Sequence, residues 1–343
     1  MSTFIIAEIG VNHNGDLNLA RQLVDGALEC GADAVKFQTF DASKLAAEGA
    51  KKASYQETGG DGQDQRDMLS RLELSEEAHR ELYAYCERVG IEFMSTPFDL
   101  DSADFLVELG VRRLKLPSGD IDNLPMIRRY GRYGLPVVMS TGMASMDEIA
   151  FGKTELEKAW EANGSQPPQA DRLTILHCTS NYPAKAEDIN LRAMRTIADR
   201  FGCPVGYSDH SLGAEVALGA VALGATVIEK HITLDRTMPG PDHAASHEVT
   251  DFAHFVASIR SLERALGDGV KAPRESEFEV RAVARRSIML ARGLPAGETL
   301  AESDLIMMRP AGGISPARLD EVVGRTVRVD LEKGHVLDWS DFS

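Results

Sequence analysis

The chain has 343 residues, 43% of them hydrophobic and 26% charged, which is enough apolar material for one large core and a smaller one. A formal net charge of -16 argues against a nucleic-acid partner, because phosphate contacts need clustered lysine and arginine. No apolar run reaches the roughly 18 residues of a membrane helix; there is no basic, cleavable leader, and Cys30, Cys86, Cys178 and Cys203 form no C-x-x-C pair, so a reduced, cytoplasmic protein without a membrane partner is expected.

Eight short apolar runs recur along the chain, at 4–9, 34–38, 91–95, 113–116, 136–140, 173–178, 204–207 and 226–230. Between them the apolar spacing has a helical period, as in Leu19, Leu23 and Ala27, or Leu82, Tyr85 and Val89. Gly31, Gly90, Gly110, Gly134, Gly202 and Gly224 each precede a run, where a helix C-cap needs a left-handed residue. Eight alternating strand and helix units predict a closed (β/α)8 barrel. The competing doubly wound sheet would carry a glycine fingerprint after its first strand, and the stretch from Glu8 to Gly15 does not.

Two stretches break the rhythm. Residues 41–74 form a long polar loop, the kind that serves as a lid or substrate loop. Past residue 267 the composition shifts, and the expected division is a barrel over 1–267, a linker over 268–282 and a small β-rich domain over 283–343. That last part repeats itself: Leu294, Gly297, Leu300, Asp304 and Leu305 recur 37 positions later as Leu331, Gly334, Leu337, Asp341 and Phe342. Two copies, each too short to bury a core alone, imply one intertwined β domain.

In a barrel the chemistry belongs at the carboxyl ends of the strands. Those ends carry Glu8; Lys36 and Gln38; Thr96; Lys115, Ser118 and Asp120; Ser140; Ser180 and Tyr182; Ser208 and His210; and His231. Lysines on a barrel rim need an anion, so Lys36 and Lys115 point to a phosphate or carboxylate ligand, with Ser118, Ser140 and Ser208 as added hydroxyls. His210 and His231 end consecutive strands. Each alone fits a core histidine bonded to a carbonyl; together they favour a divalent ion such as Mn2+ with open positions, Glu8 and Asp242 being candidate carboxylates nearby.

These residues resemble the sialic acid synthase (NeuB-type) family. The motifs run through nearly the whole chain: the stretch Ile5 to Gly15, Val35-Lys36-Phe37-Gln38-Thr39, Ser95-Thr96-Pro97-Phe98, Ser140-Thr141-Gly142-Met143, His177-Cys178-Thr179, Ser208-Asp209-His210 and Pro239-Gly240-Pro241-Asp242. The C-terminal repeat looks like that family's antifreeze-like (SAF) domain. The resemblance implies a metal-dependent condensation of phosphoenolpyruvate with an open-chain N-acetylated amino-hexose (N-acetylmannosamine or 2,4-diacetamido-2,4,6-trideoxymannose), giving a nine-carbon 2-keto acid. It implies Mn2+ first, with Mg2+ or Co2+ as alternatives, and a domain-swapped homodimer.

By the same resemblance, Lys36, Thr96, Lys115, Ser118, Ser140, Ser180 and Ser208 match phosphoenolpyruvate positions. Gln38, Gln56, Tyr182, Asp242 and Arg309 match sugar positions, His210 and His231 metal ligands, and Glu8 and Asp120 catalytic carboxylates. Asp120 stands where the family has Glu, one methylene shorter, and Ser180 where some members have Asn. Two rival readings remain open from sequence: a Schiff-base aldolase using Lys115 or Lys230, and a sugar-binding protein without catalysis.

Overall fold

The computed structural model describes residues 2–52, 64–164 and 172–343. The chain divides into two compact units, Met1–Gly267 and Asp268–Ser343. The first is built on eight parallel strands: β1 (Phe4–Gly10), β2 (Ala34–Thr39), β3 (Glu92–Pro97), β4 (Leu114–Leu116), β5 (Val137–Ser140), β6 (Leu173–Cys178), β7 (Val205–Asp209) and β8 (Val227–Thr233). Hydrogen-bonded ladders run from β3 through β2, β1, β8, β7, β6 and β5 to β4. Because β1 pairs with both β2 and β8, the sheet curls into the expected barrel, its one seam without a ladder lying between β3 and the three-residue β4.

The connecting helices begin where the sequence offers a cap. Asp16 accepts from the backbone N–H groups of Asn18 and Leu19 to open Leu17–Glu29, and Ser75 accepts from Ala78 to open Glu76–Val89. Ser145 and Glu148 form a reciprocal capping box at the start of Met146–Ala162. The six glycines expected before strands all have positive φ. Apolar helix faces and the outward faces of the strands share one core, with Trp160, Tyr130, Tyr207, Phe252 and Phe255 among its fully buried side chains. A side chain of that size stabilises the fold by roughly 1.5–3 kcal/mol when fully buried.

Inside the barrel the alternation of strand side chains builds layers. The lower layer is apolar: Ile6, Ala34, Met94, Val138, Leu176 and Val227 pack together, with Phe4 beneath. On β7 the matching position is Gly206, where a Cβ would lie 2.4 Å from the Val227 carbonyl oxygen and 2.5 Å from Leu176. Only glycine fits so close an approach. Two residues up each strand the layer turns polar: Glu8, Lys36, Thr96, Ser140, Cys178, Ser208 and Glu229, joined by Lys115 from β4, are all buried. The apolar plug below denies these groups water from beneath, so their partners must be one another or a ligand.

The second unit holds its own core, including Leu290, Leu294, Leu300, Val327, Leu331 and Leu337. Its repeat is visible in space. Leu294 and Leu331 exchange two backbone hydrogen bonds of 2.8 Å, and the equivalent turns Glu302–Asp304 and Trp339–Asp341 are each closed by their own aspartate, Asp304 accepting from the N–H of Ala301 and Asp341 from that of Asp338. Residues 268–282, expected as linker, group with this unit and carry part of a helix, Phe278–Ala284.

Candidate active site

Above the polar layer lies a cavity of about 460 Å³ at the carboxyl ends of the strands. Thirteen of the residues singled out by sequence line it: Glu8, Lys36, Gln38, Thr96, Lys115, Ser118, Ser140, Ser180, Tyr182, Ser208, His210, His231 and Asp242. Three others are placed elsewhere. Asp120, in the turn Ser118–Asp120, is not among the described residues lining the cavity, and its carboxylate accepts from the Asn123 amide at 2.9 Å. Arg309 belongs to the second unit, where it is exposed. Gln56 lies outside the described residues.

The floor is a buried ionic cluster. Lys115 Nζ donates to both oxygens of Glu229, at 2.9 and 2.8 Å. Lys36 Nζ lies 2.6 Å from Glu8 Oε2, donates to Thr96 Oγ1 at 3.0 Å and sits 3.7 Å from Glu229 Oε1. Ser208 Oγ donates to the same Glu229 oxygen at 3.0 Å. Burial pushes the Glu229 carboxyl up, but Lys115 and Lys36 outweigh it and hold the group well below the carboxylate range. Burial also draws Lys115 down, whereas Glu229 and Glu8 overcome burial at Lys36 and raise it. Glu8 rises to about 7, because its burial, helped by the neighbouring Glu229 charge, outweighs Lys36 and Lys115. A carboxyl that titrates near neutrality can move a proton in either direction.

Glu229 was not reached from sequence. Its signal is the period-two step along β8, Val227 to Glu229 to His231, which puts a carboxylate between the apolar plug and the histidine. Lys230, one position off that face, points the other way. Its ammonium is bonded to Asp209 at 2.8 Å and to the Ser211 and Gly213 carbonyls, and lies 5.9 Å from the Phe255 ring centroid. It is a buried structural ion pair and has no path to the cavity. Lys115 does line the cavity, its Nζ held by two hydrogen bonds to Glu229, so the Schiff-base reading loses Lys230 on geometry.

The two imidazoles form the upper wall, with ring centroids 5.7 Å apart. His210 Nδ1 donates to the Thr179 carbonyl at 2.7 Å, which fixes the tautomer with the lone pair on Nε2, 3.4 Å from Ser208 Oγ and on the cavity side. Burial holds His210 down at about 4, and burial followed by the His210 neighbour lowers His231 further. His231 Nδ1 is buried without a hydrogen-bond partner, 3.9 Å from Asp242 Oδ2. An orphaned imidazole nitrogen beside a second oriented one fits a divalent ion. Among the described residues no group of three or more His, Cys, Asp or Glu is placed to hold a metal, so such an ion would draw its remaining ligands from water or substrate. Tyr182 covers the pair, its ring 4.1 Å from that of His210 and 5.6 Å from that of His231.

Glu8, Gln38 and Asp242 converge beside this wall, since a Cβ on Gly10 would meet a polar atom of each between 3.3 and 3.5 Å. Burial raises Asp242 to about 6. Another part of the lining is largely apolar, with Gln65 as its polar member. The long loop after β2 contributes the short helices Ala42–Leu45 and Gln65–Ser70, and Leu45, Met68, Leu69 and Leu72 from it line the cavity with Val11 and Phe98.

A polar cavity at the carboxyl rim, with a lysine-carboxylate floor and paired imidazoles above, is the site of a (β/α)8-barrel enzyme. The relationship is narrower than that: the model of the NeuB family matches residues 23–271 and that of the SAF domain residues 285–343, and the chain belongs to the NeuB family. It is 48% identical to the N,N'-diacetyllegionaminic acid synthase of Legionella pneumophila over 99% of this chain and 94% of that one. The enzyme of the same name from Campylobacter jejuni is 44% identical over 98% of each. Among solved structures, the N-acetylneuraminic acid (sialic acid) synthetase of Leptospira borgpetersenii in complex with citrate superposes with a TM-score of 0.70 at 35% identity, covering 82% of this chain and 90% of that one. No helix among the described residues is long and apolar enough to cross a membrane.

Proposed function

We propose that the chain condenses phosphoenolpyruvate with the open-chain form of 2,4-diacetamido-2,4,6-trideoxymannose, with water, to a nine-carbon 2-keto acid and phosphate. The observation that carries this reading is the two-tier site: an anion floor of Lys36, Lys115 and hydroxyls, beneath an imidazole pair and the Glu8, Gln38 and Asp242 cluster. The names of the two bacterial relatives support the acetamido 6-deoxy sugar over N-acetylmannosamine. So do the apolar side chains of Leu45, Met68, Leu69 and Leu72 in the cavity lining, which suit a C6 methyl.

In this reading the carboxylate and phosphate of phosphoenolpyruvate take up the donors of Lys36, Lys115, Thr96, Ser118, Ser140, Ser180 and Ser208. Gln38, Tyr182 and Asp242 hold the sugar. C3 of phosphoenolpyruvate forms a bond to the sugar aldehyde carbon, whose oxygen gains a proton. Water then adds at C2 and loses one proton; the new hydroxyl loses its second proton to the departing phosphate as its electrons form the C2=O bond, and the C2–O bond to phosphate breaks with its electron pair leaving on phosphate. Glu8 is the residue placed and tuned to pass these protons; Asp120 is assigned no proton transfer. When bound by His210 and His231, a divalent ion, manganese in this reading, supplies Lewis-acid polarisation of the aldehyde. The reading also takes from the family resemblance a domain-swapped homodimer in which Arg309 of one copy serves the sugar bound by another.

The test is phosphate release and product mass with phosphoenolpyruvate and a panel of N-acylated hexoses. The expected result is turnover that chelation abolishes, fastest with the diacetamido 6-deoxy sugar. Faster turnover with N-acetylmannosamine would overturn the choice of sugar, and no release with any amino-hexose would overturn the synthase reading.

A further inference from the structure

Cys178 ends β6 on the inner face, buried and in register with Ser208. Its Sγ lies 3.4 Å from Ser118 Oγ, and the two groups line the same cavity. Ser118 Oγ also accepts from the backbone N–H of Gly142 at 2.8 Å. A Cβ on Gly142 would lie 2.2 Å from Ser180 Oγ, 2.9 Å from Cys178 Sγ and 3.1 Å from Ser118 Oγ, so three side-chain heteroatoms close around that one glycine.

A serine hydroxyl has one proton and two lone pairs. The Gly142 N–H takes one lone pair of Ser118. If the hydroxyl proton went to sulfur, Ser118 would turn its remaining lone pair to the cavity and repel an anion, whose oxygens only accept. If the thiol donates instead, both lone pairs are filled and the hydroxyl proton is left facing the cavity. We infer that Cys178 is a positioning residue: its S–H, donated to Ser118, fixes the Ser118 hydroxyl as a donor to an oxygen of the bound anion. The inference rests on the phosphoenolpyruvate reading above and adds to it a group that never touches the reacting atoms.

The test is a double-mutant cycle read as separate KM and kcat values, with the Kd for phosphoenolpyruvate alone measured by calorimetry on the full chain. Cys178→Ala should raise KM and Kd for phosphoenolpyruvate roughly three- to tenfold, the size of one neutral hydrogen bond. The sugar KM should stay unchanged and kcat should stay within about twofold. Cys178→Ser keeps a donor and should restore most of the loss. In a Ser118→Ala background Cys178→Ala should add nothing further, because the hydroxyl it orients is gone. Should Cys178→Ala not fold, Cys178→Val removes the donor while filling the space of the thiol, with one added methyl group, and carries the same expectations. Equal effects of Ala and Ser, additivity with Ser118→Ala, or a loss confined to kcat would overturn the inference. Absence of turnover in the unmodified protein would instead count against the synthase reading.

Discussion

His231 is the residue on which the upper half of the site turns. Its Nδ1 is buried without a hydrogen-bond partner, a state that costs about 1–3 kcal/mol for a neutral polar group. At the cavity wall beside His210, an ion bound there would offset that cost, which the equally unpartnered Trp160 Nε1 in the main core cannot recover in this way. His231→Ala is therefore expected to lose the bound divalent ion and turnover together while the far-UV circular dichroism stays that of the unmodified protein. Metal content per chain, measured on the purified protein, checks this; an ion retained at full occupancy would place the metal elsewhere. Glu8 and Glu229 show how one layer holds two carboxyls in different states. Glu229 lies within reach of two lysines and stays ionised, whereas Glu8 rises to about 7.

At the scale of elements, β7 and β8 each divide their polar residues between two faces. Ser208, His210, Glu229 and His231 serve the cavity, while Asp209 and Lys230 lock the strands to each other on the outer face. Lys230→Met should thus lower stability by roughly 3–5 kcal/mol, because it leaves the Asp209 carboxylate buried and unpaired. Replacing both partners, as Lys230→Met with Asp209→Leu, should recover most of that in denaturant unfolding. A single substitution with no cost would mean that the pair is solvated. The same two strands show what could be read in advance. The apolar runs located all eight strands to within two or three residues, because buried parallel strands are continuous apolar stretches. Twelve of the thirteen site residues follow from one rule, that barrel chemistry sits at strand ends; Asp242 lies in the loop beyond β8. Glu229 and Cys178 share the layer of Glu8, Lys36, Thr96, Ser140 and Ser208, but Glu229 lies two positions before the more conspicuous His231 and Cys178 reads as an ordinary buried thiol, so only strand phase reveals that they face the barrel axis. Lys230 was entertained as a nucleophile for the same reason: its neighbours in sequence are catalytic candidates, and its phase is opposite to theirs. The two helices of the loop after β2 escaped because their apolar residues pack on that loop's own small cluster rather than on the main core.

For the whole molecule, the balance of buried titratable groups sets an acid limit. His13, His210 and His247 are held at about 4 by burial, and His79, His177, His231 and His243 are lowered by the same cause, from an ordinary value of 6.5. Below about 6.5 the unfolded chain binds protons that the folded one refuses, so their contribution is intact above that pH and drains away as pH falls toward 4. Glu8 and Asp242 act in the opposite sense, since burial lifts them to about 7 and about 6 and the folded state gains as they protonate. Seven lowered imidazoles against three raised carboxyls, Asp120 being lifted by burial as well, leave a net loss. The denaturant midpoint should fall between pH 7 and pH 5 (roughly the window in which these groups part from their unfolded values). A midpoint that holds steady or rises would mean that the histidines are solvated.

The account as a whole asks one barrel to hold an anion on its floor and an aldehyde at its imidazole wall, and to cut the bond between carbon and the bridging oxygen of phosphoenolpyruvate. Phosphoenolpyruvate labelled with ¹⁸O at that bridging position, incubated with the diacetamido 6-deoxy sugar and the metal-loaded protein, tests this most directly by mass spectrometry of both products. The account predicts a nine-carbon 2-keto acid without label and phosphate that carries it. Labelled pyruvate with no nine-carbon product, or label retained in the keto acid at the instant of release, would contradict it.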